Sequence, residues 1–397
     1  MTISQPTYRP ANPAVAPIEE HAVDEPTQLH PLKASLLQKT LSSNLKPLIP
    51  NHELVFGKSF SDHMLLTAWD SKYGWHAPEI KPYGPLELEP SSVVFHYAFT
   101  CFEGMKAYKD KQGRIRLFRP DMNMKRMNHS AARLALPTFD GNEYIKCLKE
   151  LLRTDSRWVP DERGYSLYLR PTLMGTEEVL GVRASNEALL FTICSPVGPY
   201  FSSGFNAVSL YANVHEVRAW PGGVGDAKLG ANYAPTIKPA EEAAKHGCQQ
   251  VLWLIGENHQ LMEVGAMNIF VYWINKQGKP ELVTPALNGT ILPGVTRDSI
   301  LSLARSWGEF EVKEGTITMG EISEASDEGR LLEVFGSGTA AIVSPVKHIL
   351  YLGKDIHVPL DPKNPKSQAG PLTKRFNETI MAIQYGEVPH EWSVVID

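Results

Sequence analysis

The stretch GDAKLGANYAP, residues 225–235, surrounds one lysine, Lys228, with Gly225, Ala227, Gly230 and Ala231, and places Tyr233 five positions on. A solvated lysine needs no small neighbours, because its four-carbon stem carries the ammonium to water wherever the backbone runs. Small residues here fit a backbone that something bulky approaches closely, with an amine held ready to react. A mobile surface loop, in which Gly and Ala are cheap and the lysine incidental, fits the same letters.

Three other stretches bear on that choice. In FGSGTAAIVSP, 335–345, two glycines flank a serine after a strand and a threonine follows. Such a turn can aim successive backbone N–H groups into one concavity suited to a phosphate or carboxylate, although a plain strand-end turn reads the same way. In ILPGVTRDSI, 291–300, Pro293 and Gly294 make a turn. A helix starting near Val295 and Thr296 presents unpaired N–H groups and the positive end of its dipole to an anion. Every helix has a start, so two cradles together say more than either alone. In LMEVGAMNIFVYW, 261–273, Glu263 opens a nearly continuous apolar strand with no Lys or Arg beside it. It lies either at the solvent edge or against a cationic partner inside a cleft, which a ligand could supply.

An amine, two anion cradles and an isolated carboxylate form the set that pyridoxal 5'-phosphate requires: an amine to condense with its aldehyde, donors for its phosphate, and an anion opposite its pyridine nitrogen. Burial beside other cations lowers a lysine's pKa toward neutrality and frees the amine. The carboxylate keeps the ring nitrogen protonated, so the ring can accept the electron pair left when the substrate Cα loses its proton.

These groups must be positioned by a chain of 397 residues, 43% hydrophobic and 21% charged, long enough for two domains with a substantial core. Formal net charge is −5 and no run of Lys or Arg forms a basic stripe, which argues against a nucleic-acid partner and for a small solute. Cys101, Cys147, Cys194 and Cys248 lie far apart with no C-x-x-C pair. Neither a metal site nor a disulfide framework is signalled, and the thiols read as reduced and intracellular. No apolar run approaches the ~18 residues of a membrane span, and the N-terminus has no apolar core of a secretory signal. Residues 1–40 are rich in Pro and set Glu19, Glu20, Asp24 and Glu25 against Arg9. A transit peptide is Arg-rich and acid-poor, so this stretch reads as a disordered arm on a cytoplasmic protein, with a mitochondrial location as the alternative.

Beyond residue 50, strands and helices alternate. VVFHYAF (93–99) and RIRLFRP (114–120) read as strands around a turn at Asp110 to Gly113. DMNMKRMNHSAARLAL has helical spacing, with Met122, Met124, Met127, Ala131 and Leu134 able to cover one side, and a second helix spans residues 142–158. YSLYLRPTLM and EALLFTICSP read as buried strands. Gly198, Pro199, Ser202, Ser203 and Gly204 mark a linker, which divides a small N-terminal α/β domain, 41–197, from a larger one, 209–397, that carries Lys228. There QVLWLIG, NIFVYWI and LLEVFG read as strands, LPGVT as a turn and residues 297–307 as a helix. The alternation predicts a two-domain α/β or α+β fold.

GGVGDAKLGANYAPT, QVLWLIGENHQLMEVGAMNIFVYW, ILPGVTRDSIL and VFGSGTA resemble successive signatures of the branched-chain amino acid aminotransferases, fold type IV pyridoxal phosphate enzymes. LVFGKSFSDHML, HYAFTCFEGMKAY, RLFRPDMNMKRM and LYLRPTL extend the resemblance through the first half, and it is closest to the eukaryotic members. It implies a homodimer that passes an amino group, reversibly and by a ping-pong route, from L-leucine, L-isoleucine or L-valine to 2-oxoglutarate. By resemblance, Lys228 is the lysine that forms the Schiff base and shuttles the proton between Cα and the cofactor C4'. Glu263 matches the acid at the ring nitrogen and Tyr233 the tyrosine at ring O3'. Arg126 matches the arginine that reaches the phosphate, together with the Val295 and Thr296 amides and the Thr339 hydroxyl. Without the resemblance, Arg126 reads as an ordinary helix-face arginine.

The resemblance also implies a substrate pocket of Phe56, Tyr97, Phe102, Tyr168 and Tyr200, with the partner subunit's Val182 reaching over. Tyr97, Arg170 and the Thr339 and Ala340 amides would receive the α-carboxylate. Taken singly, each aromatic reads equally as core. Burial of a branched side chain in such a pocket contributes roughly 1.5–3 kcal/mol. Two positions depart from the pattern. Ala341 and Ser344 stand where animal members carry a redox C-x-x-C, so thiol regulation is not expected there. Ala266 replaces the threonine of E-V-G-T-M-N, which removes a hydroxyl near the ring and bears on ring electronics or side-chain preference. D-amino acid aminotransferases, R-selective amine transaminases and aminodeoxychorismate lyases share the lysine and glutamate but not the run from HYAFTCFEG through NYAPT. A non-catalytic scaffold or pyridoxal phosphate carrier is the rival from another class.

Overall fold

Residues 29–199 and 205–396, described in a computed structural model, fold around two β-sheets. The first runs in the order Gln38–Lys39, Glu79–Pro82, His63–Asp70, Glu187–Val197, Ser166–Gly175, Met105–Lys109, Ile115–Phe118 and Ser393–Val395. Its spine is the antiparallel pair Ser166–Gly175 and Glu187–Val197, both read as buried strands from their apolar runs. Helices Pro120–Arg133 and Gly141–Thr154 pack on it through Met124, Met127, Ala131, Leu148 and Leu151. The second helix forms where Tyr144, Cys147, Leu148 and Leu151 recur at helical spacing. Asp140 caps it by accepting from the Asn142 amide, and Glu143 and Arg153 complement the dipole at its two ends.

The second sheet runs Gln260–Val264, Gln250–Ile255, Val208–Asn213, Ile342–Tyr351, Leu331–Gly338, Met267–Ile274, Pro280–Pro285 and Glu311–Gly315. Because Gln260–Val264 also pairs with Met267–Ile274, the sheet closes on itself. Helices Val295–Trp307 and Pro371–Gln384 bury Ile300, Ala304, Phe376 and Ile380 against Phe270 and Phe335 of its strands. The architecture is the mixed α/β fold that the alternating pattern predicts.

VVFHYAF is not a strand. Val93–Tyr97 is a short helix stopped by Ala98 in the left-handed region, φ 49°, and Thr100–Phe102 takes the strand position beside Ser166–Gly175. A short apolar run cannot be assigned by periodicity alone. The turn at Asp110 to Gly113 joins Met105–Lys109 to Ile115–Phe118 instead, with the Asp110 carboxylate accepting from the Gln112 and Arg114 amides. Residues 29–40, expected as the end of a disordered arm, are packed: Leu32 is buried in the first core and Gln38–Lys39 pairs parallel to Glu79–Pro82. Residues 1–28, and 200–204 of the expected linker, lie outside the described residues. The end of the chain returns to the first sheet, where Ser393–Val395 pairs with Ile115–Phe118.

The lysine segment is stitched between the two sheets. Ala227 and Leu229, on either side of Lys228, are buried in the first core. Cys101 and Leu229 form an antiparallel bridge, the Phe102 amide donates to the Lys228 carbonyl at 3.1 Å, and the Lys228 amide donates to Ser130 Oγ at 2.8 Å. The small neighbours answer to this packing. A Cβ at Gly225 would lie 2.5 Å from the Thr290 carbonyl oxygen, and one at Gly230 would lie 2.8 Å from Thr100 Cγ2. The bulky thing that approaches this backbone is the protein itself, which holds the amine in place.

Candidate active site

A cavity of about 460 Å³ opens between the sheets, within the size range of small-molecule sites. Lys228, Tyr233, Arg126, Val295, Thr296 and Thr339 line it, as do Phe56, Phe102, Tyr168, Arg170 and Ala340. Glu263 lies one layer behind, bonded to Leu292 and Asn268, which do line the cavity. Tyr97 and Val182 are not brought to this cavity. Tyr97 is 43% exposed and its hydroxyl donates to the Leu180 carbonyl, while Val182 is 82% exposed. The helix Val93–Tyr97 carries Tyr97 away from the cavity of its own chain. Tyr200 lies outside the described residues.

Lys228 Nζ donates to the Tyr233 hydroxyl at 2.9 Å and sits 4.8 Å from the Phe102 ring centroid. Burial, and then the nearby Arg126 and Arg170 guanidinium groups, push its pKa from the usual 10.5 down to about 8. Burial also raises the Tyr233 phenol to about 12, so that hydroxyl keeps its proton. No carboxylate pairs with the Lys228 amine among the described residues.

Two buried ion pairs frame the cavity. Arg126 donates through Nε to Glu103 Oε1 at 2.7 Å and through Nη2 to Oε2 at 2.8 Å, while Nη1 donates to the Pro293 carbonyl at 3.0 Å. Asn123 Nδ2 adds a bond to Glu103 Oε2 at 2.8 Å, and Glu103 is fully buried. Such bidentate geometry fixes the guanidinium plane. On the other side, Arg218 Nε lies 2.8 Å from Glu263 Oε2, and the Leu292 amide donates to Oε1 at 2.9 Å. Burial raises the Glu263 carboxyl pKa, and Arg218 and the Leu292 amide act against that rise. The cationic partner expected for Glu263 thus includes an arginine from a distant part of the chain.

Both expected cradles expose donors. The helix Val295–Trp307 starts at Gly294 with no side-chain cap, which leaves its first amides open toward the cavity. The turn Thr339–Ala340–Ala341 follows a strand that runs through Gly338, so the glycines and Ser337 belong to the strand and the turn begins after them. Its three amides meet no protein acceptor among the described residues. Ser337 Oγ and Arg170 Nε are buried and likewise without a partner there. Unpartnered buried polar atoms around a cavity mark where a ligand's polar atoms belong.

Sequence reasoning missed Glu103, Arg218 and Ser337. Glu103 stands in HYAFTCFEGMKAY, beside Gly104, where a Cβ would lie 2.1 Å from the Tyr168 hydroxyl. That close approach needs the glycine, and FEG was the available signal. Arg218 shares the segment leading to Lys228, but nothing local ties it to Glu263.

The family described as Amino-transferase class IV matches residues 100–349. The chain is 54% identical over 373 residues to the cytosolic branched-chain-amino-acid aminotransferase of Saccharomyces cerevisiae, covering 92% of this chain and 98% of that one. It is 54% identical over 371 residues to the mitochondrial enzyme of the same yeast, covering 92% and 94%. Among solved structures it is similar to the branched-chain amino acid aminotransferase of T.th. with pyridoxamine 5'-phosphate, at 25% identity and a TM-score of 0.66, over 83% of this chain and 98% of the other.

Proposed function

The chain belongs to the class IV aminotransferase family, and from that membership we propose that it transfers the amino group of L-leucine, L-isoleucine or L-valine to 2-oxoglutarate, with pyridoxal 5'-phosphate held between its two sheets. The residues fit that cofactor. The open amides at the Val295 helix start, Arg126 and the Thr339 hydroxyl suit a phosphate dianion, the open amides of the Thr339–Ala341 turn suit a carboxylate, and Glu263, paired with Arg218, suits a ring cation. Arg126, the Val295 and Thr296 amides and the Thr339 hydroxyl would hold the phosphate, Glu263 the ring nitrogen, and Tyr233 the ring oxygen. When bound, the cofactor supplies an aldehyde that condenses with amines and a ring that accepts the electron pair released at Cα.

The chain's own residues do the rest. Lys228 Nζ, shifted toward neutrality, accepts and returns protons at the reacting carbon, and the Tyr233 hydroxyl holds it in line. Arg170, whose guanidinium meets no carboxylate among the described residues, would receive the substrate's carboxylate. Phe56, Phe102 and Tyr168 exclude water and bury the branched side chain. The observation that carries the reading is the Lys228 amine itself, 2.9 Å from the Tyr233 hydroxyl, with no carboxylate partner among the described residues and between two turns with open donors. L-leucine with 2-oxoglutarate gives glutamate, D-alanine does not, and Lys228→Ala abolishes the reaction; a Lys228→Ala protein working at the wild-type rate overturns the site. A cofactor absorbance band near ~410 nm that ignores L-leucine would favour the non-catalytic carrier.

The domain division at the linker 198–208 belongs to the same proposal, with the cavity at the junction. So does a homodimer: Tyr97 and Val182 are exposed, the Tyr97 hydroxyl binds the loop carrying Val182, and both lie off this chain's cavity, which suits them to a neighbouring subunit. Sedimentation of the purified protein checks the dimer. Among the described residues no helix is long and apolar enough to cross a membrane. A cytoplasmic location is part of the proposal, with the mitochondrion as the alternative, and cell fractionation distinguishes the two.

A further inference from the structure

Lys106 is a buried cation beside the cavity that the proposed mechanism leaves unused. It lies in strand Met105–Lys109 of the first sheet, paired with Tyr168, and its side chain reaches across the cavity's edge to the second sheet. Its Nζ donates to the Ala340 carbonyl at 2.8 Å. It is 7% exposed and has no carboxylate within ion-pair distance among the described residues. Burial alone lowers its pKa, to about 8, and no charged neighbour offsets the loss of water. At neutral pH it therefore stays mostly an ammonium, with three donors and one acceptor. A buried cation without an anion is unfavourable unless something else supplies the charge. The turn it grips, Thr339–Ala340–Ala341, lines the cavity with amides that have no protein acceptor, and a left-handed Ile342, φ 62°, closes that turn. Because a trans peptide points its N–H opposite its C=O, a fixed Ala340 carbonyl also fixes the Ala341 N–H.

We infer that Lys106 is a positioning residue for the substrate carboxylate: from behind the turn it sets the orientation of the Thr339–Ala341 amides, and its positive charge completes the site for an anion bound on their other side. This rests on the reading of the cavity as an amino acid site. A mere clasp between the sheets would act on every ligand alike, whereas a carboxylate site supported by Lys106 acts on charged ligands only.

The test compares two ligands with one side chain, 4-methylpentanoate and the uncharged 4-methylpentanamide, as inhibitors of the cofactor-loaded enzyme. Lys106→Met should weaken the carboxylate about tenfold, the scale of a charge-assisted hydrogen bond, and leave the amide within about twofold. Lys106→Arg should restore the carboxylate, and Lys106→Gln, which keeps a donor for the Ala340 carbonyl without the charge, should behave as Lys106→Met does. For L-leucine the loss should appear in KM rather than kcat. If Lys106→Met does not fold, Lys106→Gln carries the same comparison. Equal weakening of both ligands, or wild-type inhibition in Lys106→Gln, overturns the inference. Wild-type enzyme that binds neither ligand overturns the cavity reading itself.

Discussion

Glu103–Arg126 and Glu263–Arg218 are both buried carboxylate–guanidinium pairs beside one cavity, and they are built in opposite senses. In the first pair the cation faces the cavity and the carboxylate is hidden, with both its oxygens taken by Arg126 and Asn123. In the second neither charge lines the cavity; the carboxylate is the one with the proposed role toward the ligand, and Arg218 and the Leu292 amide hold its two oxygens. Buried pairs of this kind add little net stability, because desolvation consumes most of the Coulombic gain. Their use is geometric: each charge proposed to act on the ligand is held in place by an opposite charge bonded to it.

Removing a hidden partner should therefore do more harm than its distance from the ligand suggests. Glu103→Ala leaves Arg126 buried and alone, and should lower unfolding free energy by about 3–5 kcal/mol. Added pyridoxal phosphate should recover part of that loss, because its phosphate supplies the missing anion and binds only the folded chain. Denaturant unfolding with and without cofactor checks both statements; an unchanged midpoint in the apoprotein would break the comparison on the Arg126 side. On the other side, Glu263→Gln removes the charge aimed at the ligand and should reduce kcat about 10²–10³-fold, the usual scale for one preorganised electrostatic group. Single-turnover reaction with L-leucine measures it without interference from product release.

The pH dependence sharpens the contrast. Burial already raises the Glu263 carboxyl, and Arg218 works against that rise. Arg218→Met should raise it further, so that activity on the acid side is lost at a higher pH than in wild type. Glu103→Gln should leave the acid limb in place. The basic group behaves in the other direction. Lys228 is held down to about 8 by burial and by Arg126 and Arg170, against the opposing pull of Glu103 and Tyr168. The amine fraction therefore grows as pH rises through that value. Uptake of pyridoxal phosphate by the apoprotein should accelerate over the same interval and level off above it, as followed by absorbance.

The opposed construction of the two pairs also explains what the chain revealed in advance. Lys228 and Glu263 stood out in their local patterns, but those letters also fit a surface loop and a solvent-edge carboxylate, so only the four stretches taken together, and for Tyr233 the family resemblance, gave them a role. The helix start at Val295 and the open turn after Gly338 were legible as turn chemistry. The backing charges were not, since Glu103 and Arg218 gain their meaning only from partners brought across the fold. The same limit applies to VVFHYAF, whose apolar run suits strand and helix equally. Its short helical outcome carries Tyr97 away from the cavity that its motif suggested. Long apolar strands such as Ser166–Gly175 were read correctly because both faces are largely buried and the run is too apolar for a surface segment.

The smallest expected effect lies three residues beyond Glu263. Ala266 lines the cavity next to Met267 and Asn268, and Asn268 touches the Glu263 carboxylate at 3.3 Å. Ala266→Thr adds one methyl and one hydroxyl to that wall without touching either ion pair. A wall that meets the substrate side chain loses space, so kcat/KM should fall about threefold for L-leucine and L-isoleucine and less for the shorter L-valine, in keeping with the roughly 0.8 kcal/mol attached to one methylene. A wall that meets only the cofactor ring would instead change kcat by one common factor for all three and shift the absorbance maximum. Since Asn268 already links this wall to Glu263, the second outcome would extend the carboxylate's backing to a third residue, and the two pairs would then differ in reach as well as in sense.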